Sequence, residues 1–151
     1  MGHEAITVEG MGPLRLGLSR AEAEKAVGSP IPDGPGGPDC KDLAVDGGPR
    51  GLLLRFAQDR LVAIYVLSSA PESLSTESEV HRGTSRGDVM ASYAGEVGSH
   101  DLDDKHEEIV YAPTDPKVKG NIIKFGITDE NVDTFIAGQR KFANLHPCGG
   151  G

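Results

Sequence analysis

The 151 residues contain no tryptophan, three tyrosines and four phenylalanines. Few rigid rings are therefore at hand for stacking bases, gripping sugars or anchoring a hot-spot interface. Positive charge is also in short supply: 15 Lys and Arg stand against 23 Asp and Glu, a net charge of −8. That balance repels phosphate backbones and anionic lipid, so neither nucleic acid nor a membrane surface is an expected partner. Long apolar runs are missing as well. The longest, Leu61-Val62-Ala63-Ile64-Tyr65-Val66-Leu67, is seven residues, whereas a membrane span needs roughly twenty. The start, Met1-Gly2-His3-Glu4-Ala5-Ile6, has no basic stretch leading into an apolar one and puts Ile6 where a myristoylation site needs Ser or Thr.

Glycine and proline, by contrast, are plentiful at 21 and 10, which predicts long loops in an otherwise ordinary globular composition. The most informative feature present is a doubled motif. Gly17-Leu18-Ser19-Arg20-Ala21-Glu22-Ala23 is echoed 66 positions later by Gly83-Thr84-Ser85-Arg86-Gly87-Asp88-Val89. In each copy a serine precedes a short helix and an acid follows three places on, the arrangement that satisfies the free amides of a first turn. Gly28 and Gly95 are placed to end the helices in a left-handed conformation. At about nine residues each, such helices do not persist alone in water and must lie against something.

That something is expected to be a sheet. Apolar, β-branched runs follow the first motif at Leu43-Ala44-Val45, Gly51 to Phe56 and Leu61 to Leu67, and the second at Ile109-Val110-Tyr111, Asn121 to Ile127 and Val132 to Ala137. Leu54-Arg55-Phe56 aligns with Ile123-Lys124-Phe125, and the polar turns Gln58-Asp59-Arg60 and Thr128 to Asn131 suit hairpins. The expected fold is α+β: two αβββ repeats, residues 1–70 and 71–151, whose short helices pack on antiparallel sheet and which form one compact unit. Gly28 to Asp39 reads as a turn-rich surface connection and Ser68 to Glu79 as the joint between copies.

The Gly-x-Ser-x-x-Glu-Ala helix start, followed by a loop and a three-stranded meander, resembles outer-membrane lipoprotein assembly modules of the SmpA/OmlA (BamE) type. Its tandem form resembles the β-lactamase inhibitory protein architecture. The stretch Gly12-Pro13-Leu14-Arg15-Leu16-Gly17-Leu18-Ser19-Arg20-Ala21-Glu22-Ala23 is similar to the opening of small secreted or lipid-anchored actinobacterial proteins that carry a second Gly-x-Ser helix and a late cysteine. The resemblance implies a fold and an extracytoplasmic setting, secreted or envelope-associated with a leader removed, and leaves function open. An inhibitor's aromatic-rich sheet is not available to a chain without tryptophan.

Candidate sites are few. Cys40 and Cys148 lie too far apart in sequence for a metal knuckle and flank predicted elements, so a disulfide is expected, with two free thiols in a reducing, cytoplasmic setting as the other reading. His100-Asp101-Leu102-Asp103-Asp104-Lys105-His106-Glu107-Glu108 gathers two histidines and five carboxylates. It lacks the order of a calcium loop and the spacing of a zinc helix. A solvated acidic loop is expected there, with Asp101, Asp103 and His106 the residues to test for a divalent ion. Gly83-Thr84-Ser85-Arg86-Gly87 has the Gly-x-Ser-x-Gly spelling, but both Gly-x-Ser copies are explained by helix capping rather than by a nucleophile elbow; Pro35 and Pro38 spoil any glycine-rich phosphate cradle, and Arg86-Gly87-Asp88 falls at a helix start. The function expected is a non-enzymatic, cofactor-free extracytoplasmic interaction module, a monomer or weak homodimer that offers a sheet face or loops to another macromolecule, a protein. The alternatives are a small-ligand or divalent-metal binder and a small enzyme with a His/Asp site.

Overall fold

Alternating and continuous apolar runs pair with their neighbours as hairpins and set the centre of the molecule. The computed structural model describes residues 4–93 and 96–148, with Asp101 described by its backbone alone. The chain runs β1 (Ile6–Thr7), β2 (Gly10–Met11), β3 (Leu14–Arg15), α1 (Arg20–Val27), β4 (Gly36–Gly37), β5 (Cys40–Leu43), β6 (Leu52–Ala57), β7 (Arg60–Val66), α2 (Arg86–Ser92), β8 (Val97–Asp101), β9 (His106–Tyr111), β10 (Asn121–Thr128) and β11 (Asn131–Gln139). Strands β1 to β3 form a small meander. The other eight make one antiparallel sheet in the order β4-β5-β6-β7-β11-β10-β9-β8.

This corrects the α+β expectation of two αβββ repeats: the protein is mostly β, and the described residues hold two α-helices of only eight and seven residues and one 3-10 turn at Pro116–Val118. Strand was undercounted for physical reasons. β4 is a Gly-Gly pair between prolines, and β1 to β3 are two-residue strands split by turns. β8, Val-Gly-Ser-His-Asp, has no apolar alternation because it lies at the edge of the sheet and buries little. In the first half, the strand expected at Leu43 to Val45 lies earlier, at Cys40–Leu43. Each half therefore contributes a four-stranded meander to the large sheet, and the two meet where β7 pairs with β11, from Phe135 opposite Val66 to Gly138 opposite Ala63.

The two halves share finer detail. Both central hairpins turn through two residues of positive φ, Gln58 and Asp59 in one and Asp129 and Glu130 in the other, the twist that two-residue hairpins favour. Both carry a register shift just before the turn, between Arg55 and Phe56 and between Gly126 and Ile127. Arg55-Phe56 thus corresponds to Gly126-Ile127, two residues from the sequence alignment proposed above. Each helix start is tied to its hairpin by the same two backbone bonds. Gly17 N–H donates to Leu61 O and Leu61 N–H to Leu18 O, while Gly83 N–H donates to Val132 O and Val132 N–H to Thr84 O.

Ser19 makes a full capping box with Glu22, and Gly28 closes α1 in the left-handed conformation. Ser85 accepts the N–H of Asp88, and α2 ends at Tyr93; Gly95, read as its terminator, lies outside the described residues. Helix residues Ala23 and Val89, with Ile6, Met11 and Leu14 of the small meander, cover one sheet face over Leu54, Ile64, Phe125 and Phe135. The 68–79 segment is no loose joint, since Ala70, Leu74 and Thr76 are buried and Ile6 bridges to Thr76. The second face holds Ala63, Tyr65, Ile122 and Ile136, closed over by Ala143 from the chain that follows β11.

Candidate functional site

The segment after β11 crosses that second face as a strap, and its anchor is Arg55. A lone arginine in the apolar strand Leu52–Ala57 is fully buried, which is tolerable only if every donor of the guanidinium is engaged. Its Nε and Nη2 bind Asp42 Oδ1 and Oδ2 at 2.7 and 2.9 Å. Nη1 donates to the carbonyls of Phe142 and Asn144, and Nη2 also to that of His146. The Tyr65 ring lies 5.1 Å from the guanidinium carbon. Asp42 Oδ2 accepts the Cys148 N–H at 2.9 Å. Two residues before Asp42, hence on the same side of β5, stands Cys40, and the Cys40–Cys148 disulfide closes there with its Cα atoms 5.5 Å apart.

On the helix side, a cleft of about 320 Å³ opens between the start of α1, the 28–39 loop and β5–β6. Leu43 and Phe56 form its apolar floor, and Arg20, Asp33, Lys41 and Asp59 its charged rim, with Pro38 completing the wall. The rim is fixed in place. Arg20 N–H donates to Asp59 Oδ1, its Nη1 holds Ile31 O at 2.9 Å, and Lys41 Nζ meets Asp33 Oδ1 at 2.7 Å. Lys41, and after it the Gly34 N–H, hold the Asp33 carboxyl below the usual range. Such a cleft can take an apolar group and pair charges of either sign around it. The glycine and proline loop read as an ordinary connection is one of its walls.

The equivalent place in the second half is a smaller cleft of about 230 Å³, where Arg86 opens α2 beside Asp103, Asp104, His106, Glu107 and the β10–β11 turn. Asp103 accepts the N–H groups of Lys105 and His106, and its oxygens lie 2.8 and 2.9 Å from His106 Nδ1. Those bonds, the Lys105 amide first, hold its carboxyl below the ordinary aspartate range. Asp103 and His106 are therefore brought together, while the side chain of Asp101 lies outside the described residues. Among the described residues no group of three or more His, Cys, Asp or Glu converges as a metal site. Glu107 is buried against Arg86, whose Nε meets its Oε1 at 2.6 Å, and no described residue donates to its Oε2.

Sequence reasoning placed Cys40 and Cys148, missed Arg55 and Asp42 as a pair, and noted Arg86 and Glu107 in separate motifs without joining them. One signal was readable: a single arginine inside Leu-Leu-Leu-Arg-Phe-Ala needs a buried partner, and Asp42 is an acid in the strand beside it. No protein family, curated protein or solved structure matches this chain.

Proposed function

We propose that the chain is a non-enzymatic interaction module that works outside the cytoplasm and binds another protein at the cleft between α1, the 28–39 loop and β5–β6. The observation that carries the reading is the Cys40–Cys148 disulfide, which fastens the strap over the second sheet face. Disulfides of this structural kind persist in oxidising compartments and are rare in reducing ones. With that face partly closed by its own chain, the cleft, an apolar floor ringed by fixed charges, is the surface best suited to hold a partner's side chain. No described helix is long and apolar enough to cross a membrane.

Two measurements test it. Protein made from its own gene in its own host, denatured without reductant and titrated for thiols, should show none and should come from the secreted or envelope fraction; two free thiols in the cytosol would overturn the placement. A partner cross-linked to the wild-type protein should be lost with Lys41→Glu, which reverses the rim charge beside Asp33. Undiminished cross-linking would remove the cleft from the interface.

A further inference from the structure

The eight-stranded sheet has two edges, and they are built differently. At one, β4 is two glycines between Pro35 and Pro38, a short edge blunted by residues that cannot add a strand. At the other, β8 runs five residues without proline, lysine or any register shift against β9. The bonds from Ala112 N–H to Glu96 O and from Leu102 N–H to His106 O set the phase of this ladder. Alternate residues turn their backbone groups toward β9, so the N–H and C=O of Val97, Ser99 and Asp101 point away from it. Among the described residues no strand pairs with that side.

We propose that β8 receives an extended, lysine- or arginine-bearing segment of a partner protein as a ninth strand. Backbone bonds from the outward groups would supply affinity, as in other strand additions. Charge selects the partner. Strand β8 and the turn after it carry Asp101, Asp103 and Asp104, and β9 adds Glu107 and Glu108. Glu107 pairs with Arg86 and Glu108 with Lys124, so the acids in excess at this edge are Asp101, Asp103 and Asp104, against Lys105. A second copy of this chain would bring the same acidic hairpin and a net −8 to the same edge, and like charges face poorly across a strand pair. A basic segment meets no such opposition. This surface lies apart from the Lys41 cleft, and the inference rests on the interaction-module reading only for the existence of a protein partner.

The test is amide hydrogen exchange by NMR on the full chain, with the capped peptide acetyl-(Lys-Val)₃-amide and its (Glu-Val)₃ counterpart as probes. The lysine peptide should slow exchange of Val97, Ser99 and Asp101 tenfold or more, and the glutamate peptide should not. Ser99→Pro removes one outward N–H and no β8–β9 bond, so it should keep the melting temperature and lose the protection, while Ser99→Ala keeps both. Lys41→Glu should leave this binding intact, so the cleft and the edge fail separately. Equal protection by both peptides, none by either, or binding that survives Ser99→Pro would overturn the proposal. So would a free protein that sediments as a dimer with these amides already protected.

Discussion

Arg55 gains its place through what would be left behind without it. Replacing it by methionine would strand the nearly buried Asp42 carboxylate and free the carbonyls of Phe142, Asn144 and His146. Removing one partner of a buried pair typically costs about 3–5 kcal/mol. Arg55→Met should lower the urea midpoint accordingly. Tyrosine offers a second check, since burial pushes the hydroxyls of Tyr65, Tyr93 and Tyr111 up, and these are all the tyrosines in the chain. An unfolded tyrosine ionises near about pH 10. The folded protein holds its proton longer, so this contribution to stability is complete below that point and is lost as pH rises through the folded values. Absorbance at 295 nm should accordingly develop later in the native protein than in urea, and chemical stability should fall above about pH 10.

At the scale of elements, the two helix starts invite comparison because they differ in one bond. Ser19 and Glu22 exchange hydrogen bonds both ways, whereas at Ser85 the bond given is the Asp88 N–H to the serine oxygen. Ser19→Ala and Ser85→Ala each remove one hydroxyl acceptor and should each cost about 1 kcal/mol by denaturant titration, while Glu22→Ala removes the bond that the first helix start alone has been given. This level was also the most legible in the sequence. Ser19, Glu22 and Gly28 follow local capping chemistry, and the runs 52–57, 60–66, 121–128 and 131–139 are apolar because they are central strands buried on one or both faces. Local chemistry does not reveal an edge. Gly36–Gly37 and Val97–Asp101 bury too little to carry a pattern, and they are strands because the sheet beside them offers backbone partners. The clefts were unreadable for a related reason, since Arg20, Lys41 and Phe56 come from three separate elements that only the fold brings together.

For the whole molecule, the disulfide spans 108 positions and joins the two ends of the large sheet's chain. In the chain-entropy account a closed loop of about a hundred residues is worth up to roughly 4.7 kcal/mol. Cys148→Ser, or reduction in urea, should lower stability on that scale. Because Arg55 holds the same strap, the double variant Arg55→Met with Cys148→Ser should lose less than the sum of the two, a coupling read from a mutant cycle. An unchanged denaturation midpoint on reduction would leave the strap held by Arg55, by Asp42 and by its own apolar packing.

The seam between β7 and β11 has a consequence in time. Every hairpin in the large sheet joins neighbours in sequence, but Val66 and Phe135 are brought together across the intervening half of the chain. Gly138 fits only because it has no side chain, since a Cβ there would meet Val62 O at 2.2 Å. Local hairpins close quickly and distant pairings slowly. The seam is therefore the late event on the path to the native state, and the strap can lie down only after it. In an oxidative refolding experiment, capture of the Cys40 and Cys148 thiols should lag behind the far-ultraviolet signal of strand formation, which makes bond formation in this protein a clock for the last step of its assembly.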